Sequence, residues 1–266
     1  MRPTRFRWVI AGLLFVASAL SFFDRQVLSV LAPRILPDLR LTNIEYSQAV
    51  SAFTLAYSVM FTLGGRLIDL VGTRLGLGLS VAFWTVASFL HAAVQSGTQL
   101  SAFRFLLGVG EGGCFPGGAK GILEWFPKAE RALAMGIATT GGSAMGAVLA
   151  PPVIVAASRV AGWRGAFVMT GVIGAVWVAA WFVLFRKPED SRFVNAAERE
   201  TILSGRDSGG ARPGRPWALT SLLRRREVWG FIVTRFLLDP VFYFYMFWIP
   251  QYLHQERGAS LEEIGR

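Results

Sequence analysis

A single cysteine, Cys114, stands in 266 residues, which excludes any disulfide within the chain. The only histidines, His91 and His254, lie far apart in sequence, so no Cys/His spacing suited to zinc exists and no metal site is expected. There is no nucleophile–base set and no phosphate-cradling loop, so an enzyme is not expected and neither is a cofactor. Charge is also scarce: 17% of residues are charged, against about 25% in a soluble globular domain.

What fills the chain instead is apolar. Hydrophobic residues make up 53% of it, and the mean hydropathy is +0.46. An apolar helix needs about 20 residues to cross a bilayer. Seven segments qualify: Trp8–Ala32, Glu45–Leu63, Leu75–Val94, Leu100–Leu123, Leu133–Ala157, Gly165–Phe185 and Val228–Tyr252. Gly and Pro recur inside them, as in membrane helices generally. The expected class is an all-α, polytopic membrane protein embedded in a lipid bilayer.

The net charge of +10 would suggest nucleic acid in a soluble protein. Here the basic residues fall on one side. The N-terminal tail, the 2–3 and 4–5 loops and the 6–7 loop hold seventeen Lys and Arg, against four (Arg34, Arg40, Arg159, Arg164) on the other side. That asymmetry predicts a cytoplasmic N-terminus, and no nucleic-acid partner is expected. Arg2, Arg5 and Arg7 before an apolar run, with Ala17-Ser18-Ala19 beyond, imitate a signal peptide. Hydrophobicity resumes at Val27–Ala32, so the segment reads as an uncleaved span.

Three regions are expected: a six-helix bundle over 1–186, a cytoplasmic loop over 187–227, and a seventh span with its following loop over 228–266. In the loop, Asn195 and Glu198 have capping-box spacing and open a short helix that Gly205 closes. Gly209, Gly210, Pro213 and Pro216 then mark a flexible linker. One helix cannot build a second bundle, so the chain reads as a fragment or a truncated gene product.

Four ionisable residues interrupt the spans: Asp24 and Arg25 in the first, Arg104 and Glu111 in the fourth. Each costs at least ~2.5–3.5 kcal/mol to insert, which makes it a functional candidate. Arg104 and Glu111 are seven positions apart, nearly two turns, and so share one helix face. The expected helix directions place all four in one cavity between spans 1 and 4, with charges that sum to zero. Arg25 and Arg104 suit a carboxylate, because guanidinium stays charged when buried and donates two parallel hydrogen bonds. Glu111 and Asp24 suit proton coupling: a substrate carboxylate competing for the arginine releases the acid to take a proton. The competing reading of each is a structural ion pair. Tyr57 offers a hydroxyl in span 2; packing is its competing reading. His91 and Lys120 read as snorkelling residues near helix ends. Asp239 is a further charge in span 7, without an assigned role.

The 2–3 loop, Gly65-Arg-Leu-Ile-Asp69-Leu-Val-Gly72-Thr-Arg74, resembles the cytoplasmic signature G-x-x-x-D-R-x-G-x-R of the major facilitator superfamily. Leu70 stands where the signature has arginine. Gly65 would allow close helix approach, and Asp69 would meet a helix N-terminus or Arg74. The segments Ser21–Pro33, Arg104–Pro116 with Glu124–Pro127, and Arg235–Pro250 resemble the anion:cation symporter family, the last of them its bacterial hexuronate branch. The resemblance implies an N-terminal bundle of two inverted three-helix repeats. It implies import of an organic anion, most simply a hexuronate or related sugar acid, by proton symport with alternating access in a bacterial inner membrane. Arg25, Arg104 and Tyr57 would then bind substrate, and a C-terminal bundle absent from this sequence would be needed for full function. Alternatives are an aldonate, aromatic acid or tartrate as substrate, a non-transporting receptor, or an inert fragment.

Overall fold

The computed structural model describes residues 3–205 and 223–265; the linker expected at 209–216 and Arg2 fall outside them. Among the described residues every regular element is helical. The principal helices are α1 (Arg7–Asp38), α2 (Asn43–Val71), α3 (Thr73–His91), α4 (Gly97–Glu111), α5 (Cys114–Trp125), α6 (Arg131–Met135), α7 (Gly142–Leu184), α8 (Ala196–Ser204), α9 (Arg226–Arg257) and α10 (Leu261–Ile264). Five helical stretches are long and apolar enough to cross a membrane.

The expected spans map onto these helices with three differences. Span 4 is broken: α4 stops at Glu111 and α5 starts at Cys114, with Gly112 and Gly113 between them. Span 5 begins with a π-helical turn over Gly136–Gly141, where the backbone widens to i→i+5 bonding. Spans 5 and 6 run together as α7, and the break between them lies beyond the Pro151–Pro152 pair, at Gly162 (φ 68°, ψ 179°). A side chain there would be strained, so glycine makes the corner.

Four helix starts carry side-chain caps. Thr42 and Glu45 form a reciprocal capping box at α2, Ser96 caps α4, and Ser260 with Glu263 boxes α10. At α8 the box is half-formed. Asn195 accepts from the Glu198 backbone N–H at 2.9 Å, but the Glu198 carboxylate turns away from Asn195. It accepts from the Phe6 and Arg7 N–H groups at 2.9 and 3.1 Å and from the Arg7 guanidinium at 3.0 Å, with the Thr4 hydroxyl a further donor. Arg7 in turn grips Glu130 with two hydrogen bonds, 2.8 and 3.1 Å. One buried carboxylate thus ties the loop helix to the start of α1 and to the 4–5 loop. Burial pushes the Glu198 carboxyl up, but the hydrogen bonds from Thr4, Arg7 and Phe6 outweigh it and hold the group below its ordinary range.

In the bundle α1 packs along α7, α2 along α4, and α3 against both α4 and α7. Gly142 and Gly146 make the first pairing possible: a Cβ on either would collide with the Phe15 or Ala19 carbonyl of α1. The outward faces are apolar, with Leu55, Val86, Val148 and Val176 exposed, as a lipid-facing surface requires. The helix α9 is buried against the bundle toward its C-terminal end, where Phe247 and Gln251 are its buried residues.

Candidate functional site

The centre of the site is Arg25, which is 1% exposed. Its Nε donates to Glu111 Oε2 at 2.7 Å, and its Nη2 donates to Ser21 Oγ at 3.2 Å. Ser21, one turn earlier on α1, donates to the same Glu111 oxygen at 3.0 Å. The guanidinium also faces aromatic rings: its carbon lies 4.3 Å from the Tyr57 centroid, 5.1 Å from Phe22 and 5.4 Å from Phe53. Such contacts compensate a cation for lost water. Glu111 is fully buried and its Oε1 has no hydrogen-bond partner among the described residues.

Arg25 and Tyr57 line a cavity of about 620 Å³. Phe22 of α1, Phe115 of α5, Thr139, Thr140 and Ser143 at the start of span 5, and Phe242 and Tyr243 of α9 share its wall. Arg235 and Asp239 enter the same wall and pair with each other at 3.1 Å, one turn apart. The cavity wall is mostly apolar, rich in aromatic rings, with a few convergent polar groups, as small-molecule sites are.

The structure corrects the expectation of one cavity holding four charges. Arg104 and Glu111 do share the buried stripe of α4, with Gly97, Leu100 and Leu107. Arg104, however, does not line the cavity. It is 1% exposed, inside the bundle, and none of its three guanidinium nitrogens has a hydrogen-bond partner among the described residues. Its field reaches Tyr46, Glu111 and Asp24. Asp24 likewise turns inward, accepting from the Ser88 hydroxyl of α3 at 2.9 Å. Adjacent residues on a helix point about 100° apart, so Asp24 and Arg25 serve different neighbours.

Two residues read as snorkelling are placed otherwise. His91 is fully buried, stacked on Phe167 at 5.0 Å, with Nδ1 2.7 Å from the Ala87 carbonyl. Lys120 pairs with Asp69 at 2.8 Å and donates to the Ile68 carbonyl at 3.1 Å. That pair, between α2 and α5, stands in place of the helix N-terminus or Arg74 expected as the partner of Asp69. Arg74 instead donates to the Phe182 carbonyl of α7 at 2.6 Å. Gly72 takes a positive φ of 85° at the corner between α2 and α3. The close helix approach belongs to Gly64, where a Cβ would lie 3.1 Å from the Gly113 Cα; at Gly65 the nearest atom, in Pro116, is at an ordinary 3.5 Å.

Sequence reasoning missed Ser21, Phe22, Arg235 and Tyr243 as members of the site. A serine one turn before Arg25 was the available signal for the first, and the Arg235–Asp239 spacing for the third.

A model of the Major Facilitator Superfamily matches residues 14–265. The chain is 31% identical to the galacturonate transporter of Dickeya chrysanthemi over 97% of its own length and 75% of that protein. It is 30% identical to the hexuronate transporter of Escherichia coli K12, again over 97% of its length but 60% of that protein. A probable sulfoacetate transporter of Cupriavidus necator is 32% identical, over 97% of the chain and 60% of that protein. The chain therefore spans about three-fifths to three-quarters of the length of these relatives. Among solved structures, a bacterial homolog of the human lysosomal transporter Spinster, inward-facing and unoccupied, superposes with a TM-score of 0.79 at 21% identity, over 98% of this chain and 58% of that one. Such relatives are transporters rather than enzymes, and with the family model matched across nearly every described helix, this multi-pass membrane chain belongs to the major facilitator superfamily.

Proposed function

We propose that the chain forms the substrate-binding half of a secondary transporter for an organic anion, a hexuronate or related sugar acid, coupled to protons. The observation that carries this reading is Arg25, buried at the wall of the cavity and paired with Glu111 at 2.7 Å. The names of the galacturonate and hexuronate transporter relatives support the substrate class. The sulfoacetate relative supports a site that reads the anionic group before the sugar.

In this reading the substrate carboxylate takes the Arg25 guanidinium, with the Tyr57 ring and hydroxyl beside it. Glu111 then loses its counter-charge while still out of water. An unpaired buried carboxylate is costly, so the neutral acid is the form that stays. Anion binding and proton uptake become one event. Arg104 lies behind the cavity and balances Asp24 and Glu111 in the interior rather than touching substrate. Alternating access moves the bundle against a second body around this site. The basic loops support an N-terminus on the cytoplasmic side of a bacterial inner membrane.

The test is uptake of radiolabelled glucuronate and galacturonate into proteoliposomes with an inward proton gradient. Expected is gradient-driven accumulation that Glu111→Gln abolishes while counterflow exchange persists. Saturable binding without uptake would replace the transporter reading with a receptor.

A further inference from the structure

Pro250 lies inside α9. Proline has no N–H, so the carbonyl four residues earlier, that of Met246, loses its helical donor. In an apolar surrounding a freed carbonyl must find another. The Ser29 hydroxyl of α1 donates to the Met246 carbonyl at 2.6 Å, and the Tyr46 hydroxyl of α2 donates to the next carbonyl, Phe247, also at 2.6 Å. Ser29 and Tyr46 are both fully buried. One turn further, Gln251 bonds Asn43. These contacts coincide with the only stretch of α9 that is buried, Phe247 and Gln251. From Arg235 to Tyr243 the same helix borders the cavity instead. Ring contacts continue from the cavity wall to that buried stretch: Tyr57 stacked on Phe53 at 5.8 Å, Phe53 edge-on to Phe247 at 6.2 Å, and Phe247 stacked on Tyr243 at 6.0 Å.

We propose that Ser29 and Tyr46 are a latch, capturing two carbonyls in the turn before Pro250 and so holding α9 closed over one end of the cavity. Hydroxyl-to-carbonyl contacts suit a part that must release. Each is a single neutral hydrogen bond, and on opening the Ser29 hydroxyl can turn to a carbonyl of its own helix and the Tyr46 hydroxyl to water. The gating role rests on the transporter reading; the closure itself does not, and the test reads closure alone.

The reporter is Val50→Cys in a Cys114→Ser background. Val50 lies one turn beyond Tyr46 on α2 and is half-buried between the two halves of the core. A membrane-impermeant maleimide is applied without substrate to vesicles from the side of Asp38, which the exposed Gln95→Cys identifies. Ser29→Ala and Tyr46→Phe should each speed modification about 2- to 10-fold, the population shift for losing one ordinary buried hydrogen bond. Either variant stands as the test if the other fails to insert. In Pro250→Ala the Met246 carbonyl regains its helical donor, so the added effect of Ser29→Ala should shrink to less than about twofold. Unchanged modification in both hydroxyl variants overturns the latch. So does an equal effect of Ser29→Ala with and without Pro250, which would mean simple packing.

Discussion

Arg25 serves two partners with different parts of one group: its edge meets Glu111 and Ser21, and its flat face meets Tyr57. Lysine can supply the charge but neither the fork nor the face. Arg25→Lys should therefore lower sugar-acid uptake about 10- to 100-fold, the loss of one charge-assisted hydrogen bond, while leaving expression intact. Uptake within twofold of the parent would show that charge alone suffices. The identity of this residue was legible in the sequence, because a charge in an apolar run is costly wherever it points. Its direction was not. Spacing puts Arg104 and Glu111 on one helix face, but spacing does not say whether that face meets a cavity or a neighbouring helix. The structure gives Arg25 to the cavity and buries both Glu111 and Arg104 behind it.

At the scale of elements, hydropathy located the spans but not what joins or divides them. The α4–α5 break falls at Gly112 and Gly113, which lie tight against Met60 and Ser80 of other helices, a contact that a one-dimensional pattern does not record. The helix α8 shows the same limit. Its capping spacing was legible, yet the Glu198 carboxylate is claimed by Thr4, Phe6 and Arg7 from the start of the chain. That has a measurable consequence. A carboxylate held below its ordinary range contributes docking free energy that is full above about pH 4.3 and is lost as pH falls through the lowered folded value. Docking of α8 should thus be unchanged between pH 5 and 8, and Glu198→Gln should loosen it at all of them. Tryptic cleavage after Arg199, whose guanidinium donates to the Pro188 and Ser191 carbonyls, reads the docking. The variant should be cut roughly 5- to 100-fold faster, the range for stranding one buried hydrogen-bonding group. A parent whose cleavage accelerates between pH 8 and 5 would remove Glu198 from the clamp.

For the whole molecule, contacts between residues distant in sequence sort the helix ends into two sides without reference to hydropathy. Arg7 pairs with Glu130 and Glu198 at one end. At the other, Arg164 bonds both Asp38 and the Val94 carbonyl, Arg159 pairs with Glu262, and Gln251 bonds Asn43. The first group belongs to the tail, the 4–5 loop and the loop after span 6; the second belongs to the 1–2, 3–4 and 5–6 loops and the end of α9. This is the partition that the count of basic residues, seventeen against four, draws independently. Two unrelated forces give one sorting: short-range pairing in the folded chain, and the bias of Lys and Arg toward the cytoplasmic face during insertion. An impermeant maleimide added to intact cells should therefore modify the thiol of Gln95→Cys, while that of Ser204→Cys reacts only after permeabilisation. Both positions are exposed, so access depends on side and not on burial. The opposite pattern would invert the orientation while keeping the fold. Modification of both in sealed cells would mean that the two groups of contacts do not lie on opposite faces of a membrane, and the bundle would then have to be read without one.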